Sequence, residues 1–299
     1  MTKIGIVGLG SMGFGMACSL VRAGLETWGH DVNPDAVTGF QAEGGQPGTL
    51  HDAVPSLDVL VVVVLNAAQT RTVLCGTDGL MARMRPGAVI ISCATVSPAF
   101  AREMESEAEQ QDLLYLDAPI SGGTVKAAEG QLTIMASGRP AAFDAARPAL
   151  DAMAGQVFTL GDQAGPGSAM KSVNQMLAGI HIAAMGEALT FGMTQGISPE
   201  TFLEVISRSA GTSWMLESRA PRVIAGDYEA RSSVEIWPKD LGIALDIARD
   251  ARFSAPLTAT ALQQFLAASG MGYGAEDDAA VAKVYARNAG LTLPGDDTP

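Results

Sequence analysis

Lys3-Ile4-Gly5-Ile6-Val7 is a short β-prone run that passes directly into Gly8-Leu9-Gly10-Ser11-Met12-Gly13. The segment from Phe14 to Ala23 then reads as a helix, closed by Gly24. A G-x-G-x-x-G string alone is weak, but between a strand and a helix it is the dinucleotide fingerprint. Each glycine has a task there: a tight turn, close approach of backbone to pyrophosphate, and close packing of helix on strand. The helix N-terminus offers unpaired N–H groups and partial positive charge to the phosphates. Gly8, Gly10, Ser11, Met12 and Gly13 are therefore candidate cofactor contacts. The order strand, glycine loop, helix commits the N-terminal half to a doubly wound α/β sheet.

The next strand, Glu26 to His30, ends at Asp31, about twenty residues past the glycines, where an acidic side chain accepts hydrogen bonds from the adenosine ribose. It would repel a 2′-phosphate, and Val32-Asn33-Pro34 offers no arginine to hold one, so NAD is favoured over NADP. Helix-cap chemistry before Pro34 is the alternative role for Asp31. Asp58 to Leu65 is an unbroken apolar run of the kind buried on both faces of a parallel sheet. Asn66 follows at its carboxyl end, and Gly87 to Ser92 leads similarly to Thr95. For both residues, a cofactor contact and a turn or cap role remain open. Ser97-Pro98 opens a helix to about Gln111. Leu113 to Pro119 is a strand that runs into Ile120-Ser121-Gly122-Gly123, a turn able to grip a carboxylate through bare N–H groups or to serve as a simple flexible bend. Leu132 to Ala136, a helix from Pro140 to Met153 and Val157 to Leu160 close the sheet domain, expected to span 1–163.

Gly161 to Gly167 is rich in breakers, and no glycine or proline then appears until Gly179. A helix from about Ser168 carries Lys171 and Asn174 on one face, three residues apart. The chain beyond is helical by pattern, so 164–299 is expected to form an all-helical substrate domain. His181 lies roughly 15 Å along the axis from Lys171 at 1.5 Å per residue, and packing or a subunit contact suits it better than the same small substrate. Ser209 to Trp214 is a small-residue loop ending in an aromatic. Lys239 precedes a helix expected over Gly242 to Ala251 and is either a second cation at the cleft or a surface lysine. The tail, Gly290 to Pro299, is polar and expected to fray.

With 19 basic and 32 acidic residues the net charge is −13, which argues against a nucleic-acid partner. Cys18, Cys75 and Cys93 are widely spaced and odd in number, so neither a disulfide framework nor a metal site is expected. Met1-Thr2-Lys3 carries no leader signal, and the longest apolar run, Val59 to Leu65, is far short of the roughly twenty residues that span a bilayer. A cytoplasmic protein without a membrane partner is the expectation.

Taken together, Gly8-Leu9-Gly10-Ser11-Met12-Gly13, Thr95-Val96-Ser97-Pro98, Asp117-Ala118-Pro119-Ile120-Ser121-Gly122-Gly123, Gly165-Pro166-Gly167 with Lys171 and Asn174, and Lys239-Asp240-Leu241 resemble the β-hydroxyacid dehydrogenase family. The family includes 3-hydroxyisobutyrate dehydrogenases and tartronate semialdehyde reductases, and the resemblance covers nearly the whole chain. It implies an N-terminal Rossmann domain, an all-helical C-terminal domain, NAD as cofactor, a small hydroxy acid as substrate, and a homodimer or homotetramer. It further implies that Lys171 is the catalytic acid/base, that Ser121, Gly122, Gly123 and Asn174 hold substrate, and that Lys239 lies near the nicotinamide ribose. Ser209 to Met215, His181-Ile182-Ala183-Ala184 and Gly274 to Asp278 look most like the L-threonate-oxidising branch. In that reading Thr212 and Ser213 would bond distal hydroxyls and Trp214 would close the pocket. An ordinary lysine is protonated at neutral pH, so burial, Lys239 and the cationic nicotinamide would have to favour neutral Lys171. A silent nucleotide-binding module, the rival from a different class, would have an apolar residue at that position.

Overall fold

Strand β1 (Lys3–Val7) lies at the centre of a chain reversal, because both strands beside it follow it in sequence. With β2 (Glu26–His30), β3 (Val59–Val62), β4 (Val89–Ser92) and β5 (Leu114–Asp117) it forms a sheet of order β2-β1-β3-β4-β5. All four pairings are parallel. The computed structural model describes residues 1–296.

The register explains why these strands read as continuous apolar runs. Ile4, Val59 and Val89 align across the sheet, as do Ile6, Val61, Ile91 and Leu116, and they pack with Met16, Leu20 and Phe40 on one face. The alternate residues Leu60, Ile90 and Tyr115 pack with Leu50, Leu57, Leu74 and Met104 on the other. A sheet covered on both sides leaves its ligand crevice at the carboxyl ends of the strands, where the order reverses between β1 and β3.

A second sheet continues from the same unit. Strand β6 (Ile120–Ser121) pairs antiparallel with β7 (Leu132–Ala136), which pairs parallel with β8 (Ala154–Thr159). An antiparallel bridge between Asp117 and Ser137 joins the ends of the two sheets. The residues between β6 and β7 form a seven-residue helix, Gly123–Glu129, where the sequence suggests only a turn.

The chain divides into two compact units, Met1–Lys171 and Ser172 onward, and the division falls inside one continuous helix, Pro166–Thr194. That helix is long and apolar enough to cross a membrane, with mean hydropathy 1.3 in its most apolar window, yet half of that window is buried within the protein. The second unit is helical: Pro199–Ile206, Trp214–Ala225, Ile236–Asp250, Pro256–Ala268 and Val281–Asn288 enclose a core that includes Trp237, Leu241, Phe265 and Ile182. The helix expected from Gly242 begins instead at Ile236, so Lys239 sits in its first turn rather than ahead of it. Pro238 is compatible with this because the first helical turn needs no intrahelical N–H donors. The tail does not fray over its first residues: Leu293 is buried and Gly295 meets Gly226 backbone to backbone. The last residues of that tail lie outside the described residues.

Candidate active site

The glycine loop after β1 divides its glycines by purpose. At Gly8 (φ 92°) a Cβ would lie 2.1 Å from the Val63 carbonyl oxygen, and at Gly13 a Cβ would lie 1.8 Å from the Gly8 carbonyl oxygen. Those two are required by the chain itself. A Cβ at Gly10 would meet no protein atom within 4 Å. The helix that follows, Gly13–Arg22, has no side-chain cap and no acidic residue in its first turn. Its N–H groups therefore face an open, uncapped end, suited to a pyrophosphate. Asp31 is fastened beside it: one carboxylate oxygen accepts from Leu9 N–H at 2.7 Å and the other from Asn33 N–H at 2.8 Å. A carboxylate accepts more than one hydrogen bond per oxygen, so capacity for ribose hydroxyls remains. The residues present fit a dinucleotide.

Of the two strand-end candidates, Asn66 caps the helix Ala67–Cys75 by accepting from Gln69 N–H at 2.9 Å. Thr95 is half-buried just beyond β4. Cys93, buried just beyond β4, has its thiol pushed up to about 12 by burial and by Asp117, which removes it as a nucleophile at neutral pH. Ser121 ends β6, and Gly122 (φ 139°) and Gly123 (φ 79°) turn the chain with conformations that favour glycine. Among the described residues, no group of three or more His, Cys, Asp or Glu is placed to hold a metal ion.

Lys171 is 8 % exposed, and its Nζ donates to the Ile120 carbonyl oxygen at 2.9 Å. The helix that carries it starts in a nest of acceptors. Asp117, 1 % exposed at the end of β5, accepts from Gly165 N–H at 2.9 Å, from Ser168 N–H at 2.8 Å and from Ser168 Oγ at 2.6 Å. Burial raises the Asp117 carboxyl above the usual carboxylate range, while those bonds and one from Ser137 oppose the shift. Glu105, also raised by burial, accepts from Ala164 N–H at 2.9 Å. The breaker-rich Gly161–Gly167 stretch is thus clamped by two buried carboxylates from elsewhere in the first unit.

One turn further along the same helix, Asn174 Nδ2 donates to Gln175 Oε1 at 2.9 Å, and Gln175 Nε2 donates to Asp240. Lys239 Nζ lies 2.5 Å from Asp240 Oδ1, an ion pair rather than an aligned hydrogen bond. Asn174, Gln175, Asp240 and Lys239 form one chain of polar contacts within the helical unit. Sequence reading singled out Asn174 and Lys239 but missed Gln175 and Asp240. The i,i+4 spacing of Gln175 from Lys171 was the available signal, since that spacing stacks side chains on one helix face as well as i,i+3 does.

Two of the residues expected at distal hydroxyls have local partners. Ser213 caps the helix Trp214–Ala225 by accepting from Leu216 N–H, Thr212 Oγ1 donates to Glu217, and Trp214 is 62 % exposed. Asp277 and Asp278 are buried in ion pairs with Arg222 and Arg219. His181 is half-buried in the long helix.

A doubly wound sheet with an open glycine loop, an acidic residue beside it and a buried lysine is the arrangement of a nicotinamide-nucleotide dehydrogenase, and the matches to known proteins agree. Residues 3–161 match the family model of the NAD binding domain of 6-phosphogluconate dehydrogenase, and residues 165–285 that of the NAD-binding region of NADP-dependent 3-hydroxyisobutyrate dehydrogenase. The chain is 46 % identical over 294 residues to L-threonate dehydrogenase of Cupriavidus necator, covering 98 % of each chain. It is 45 % identical to L-threonate dehydrogenase of Escherichia coli K12, over 98 % of this chain and 96 % of that one. A crystal structure described as 3-hydroxyisobutyrate dehydrogenase from Salmonella typhimurium superposes with a TM-score of 0.91 at 46 % identity, covering 95 % of this chain and all of that one. The chain belongs to the β-hydroxyacid dehydrogenase family, and it is an NAD-dependent hydroxyacid dehydrogenase.

A cofactor preference is expected from Asp31. NAD should exceed NADP by about a hundredfold in kcat/KM, a difference near 2.7 kcal/mol. Steady-state rates with each cofactor, for the unmutated protein and Asp31→Ala, test it. The substitution should narrow the gap mainly by weakening NAD. Equal use of both cofactors by the unmutated protein would remove Asp31 from that role.

Proposed function

We propose that the protein oxidises L-threonate at its C2 hydroxyl to the 2-oxo acid. The observation that carries the substrate is the similarity, over nearly the whole length, to two L-threonate dehydrogenases. Bound NAD supplies the hydride acceptor. Lys171 Nζ takes the hydroxyl proton as the C2 hydrogen leaves with its electron pair and the C2–O bond becomes a carbonyl. The Ile120 carbonyl fixes the direction of the ammonium or amine. Asn174 orients the hydroxyl from the next helical turn, and the Ser121-Gly122-Gly123 turn holds the carboxylate so that the reacting carbon is presented in one pose. Gly8, Gly10, Ser11, Met12, Gly13, Asp31, Asn66, Thr95 and Lys239 are assigned to the cofactor. Residues 1–163 are taken as the cofactor domain and 164–299 as the domain for substrate and oligomerisation. A cytoplasmic homodimer or homotetramer completes the proposal.

The rival substrate is 3-hydroxyisobutyrate, favoured by the description of the Salmonella typhimurium structure at the same 46 % identity. NADH formation from L-threonate, D-threonate, 3-hydroxyisobutyrate and D-glycerate decides between them. L-threonate should lead the others by at least about tenfold in kcat/KM, because a site that pairs a substrate hydroxyl penalises 3-hydroxyisobutyrate and D-glycerate, which lack one, and D-threonate, which presents its hydroxyls in mirror-image positions. If 3-hydroxyisobutyrate or D-glycerate leads, the substrate assignment falls while the family assignment stands.

A further inference from the structure

We infer that Asp117 is the positioning residue for Lys171: its carboxylate holds the first turn of the Pro166–Thr194 helix and so fixes where the lysine Nζ sits. This rests on the acid/base role proposed for Lys171.

The contacts form a closed loop. Both oxygens of Asp117 are engaged, one by Ser168 Oγ and the other by the N–H groups of Gly165 and Ser168. Ser137 Oγ donates to the same carboxylate at 3.3 Å while accepting from Gly167 N–H at 2.9 Å. Ser137 is itself tied to Asp117 by backbone hydrogen bonds in both directions. Ser168 is one turn before Lys171. Ile120, whose carbonyl receives Lys171 Nζ, is three residues beyond Asp117 on the same chain segment. The segment 117–120 therefore grips the helix at two points, by the backbone of its first turn and by the lysine head group. A Cβ at Gly167 would lie 2.6 Å from the Asp117 carbonyl oxygen and 2.5 Å from that of Met135, so helix and strand meet at the limit of approach.

The arrangement is also the favourable one electrostatically. The opening N–H groups of a helix carry partial positive charge, and a carboxylate facing them stabilises the end. No residue in the helix's own first turn is acidic, so this anion comes from Asp117, tens of residues earlier in the chain. Asparagine has the same shape but removes the negative charge that faces the helix N–H groups, and its NH₂ replaces the oxygen that accepts from the Ser168 hydroxyl. The helix start would then shift or loosen. Displacement of a reacting group by about 1 Å costs up to about a hundredfold in rate.

The test compares the full-length protein with Asp117→Asn and Ser168→Ala, using two readouts. The first is the rate at which a lysine-selective acylating reagent modifies Lys171, mapped by mass spectrometry without substrate. Lys283, buried in the helical unit at 4 % exposure, serves as internal control for global opening. Asp117→Asn should speed modification of Lys171 by at least about fivefold and leave Lys283 unchanged, as local rather than global opening requires. The second is kcat and its pH profile. Asp117→Asn should lower kcat by about ten- to a hundredfold with KM for NAD nearly unchanged, and should move the basic group that controls kcat. Ser168→Ala, which removes one acceptor–donor pair, should show both effects in smaller measure. Unchanged Lys171 modification together with an unchanged kcat profile in Asp117→Asn overturns the inference. If Asp117→Asn opens the whole protein, so that Lys283 accelerates too, Ser168→Ala decides by the same criteria. Faster modification of Lys171 with kcat unaltered would support positioning by Asp117 and would instead defeat the acid/base role of Lys171.

Discussion

Replacing Lys171 by alanine should lower kcat by about a hundred- to ten-thousandfold, the range for loss of a positioned acid/base. The expectation follows from where the side chain is held. It is buried, its Nζ is aimed by the Ile120 carbonyl, and it sits one turn from Asn174 on the same helix. The Ser121–Gly123 turn, the glycine loop and Asp31 are untouched by the change. NADH binding followed by fluorescence should therefore stay close to that of the unmutated protein. Retention of most activity would exclude Lys171 from proton transfer. A large loss of NADH affinity would point to a structural part for the lysine at the start of its helix.

Arg219→Ala should destabilise the helical unit by about 3–5 kcal/mol, because it leaves a buried carboxylate without its partner. Arg219 donates to Asp278 through Nε at 2.8 Å and Nη2 at 3.1 Å, a two-pronged pair in which Asp278 is fully buried. Trp237 Nε1 adds a third donor at 3.1 Å. Burial raises the Asp278 carboxyl, and Arg219 works against that rise. Without the arginine the carboxyl moves higher still in the folded protein. The folded state then holds a proton that the unfolded chain has already released, so stability falls as pH rises from the unfolded value near 4 towards the raised folded one. Denaturant unfolding of the cofactor-free protein should show a small deficit at acid pH that widens towards neutrality. A deficit independent of pH, or below about 1 kcal/mol, would mean that the pair is worth no more than a surface ion pair.

Much of the sheet unit was legible because its signals are local. Short β-prone runs marked β1 to β5, and the motif spacing led from Gly8 to Asp31, whose carboxylate reaches back to the loop at Leu9. What stayed hidden depends on partners distant in sequence. Nothing near Asp117 announces that it will accept from Ser168, 51 residues on. Gln175 gains its meaning only from Asp240, 65 residues away. The Gly123–Glu129 helix was missed because seven residues between glycines give too short a period to register. Ser213 also caps the helix that follows it, a role that small polar residues ahead of a helix commonly take and that was not read from the sequence.

The divided purpose of the three loop glycines has a consequence for descent. Gly8 and Gly13 answer to the chain: any side chain there collides with backbone, whatever the protein binds. Gly10 is not required by the fold, because a methyl group there meets no protein atom within 4 Å beyond its chain neighbours, and in the proposed function its tie is to the cofactor. The positions of the motif are therefore not constrained alike. A lineage that abandoned its cofactor but kept its fold would be released at position 10 and still held at 8 and 13, so the middle glycine is the letter of the motif that records whether the nucleotide is still in use.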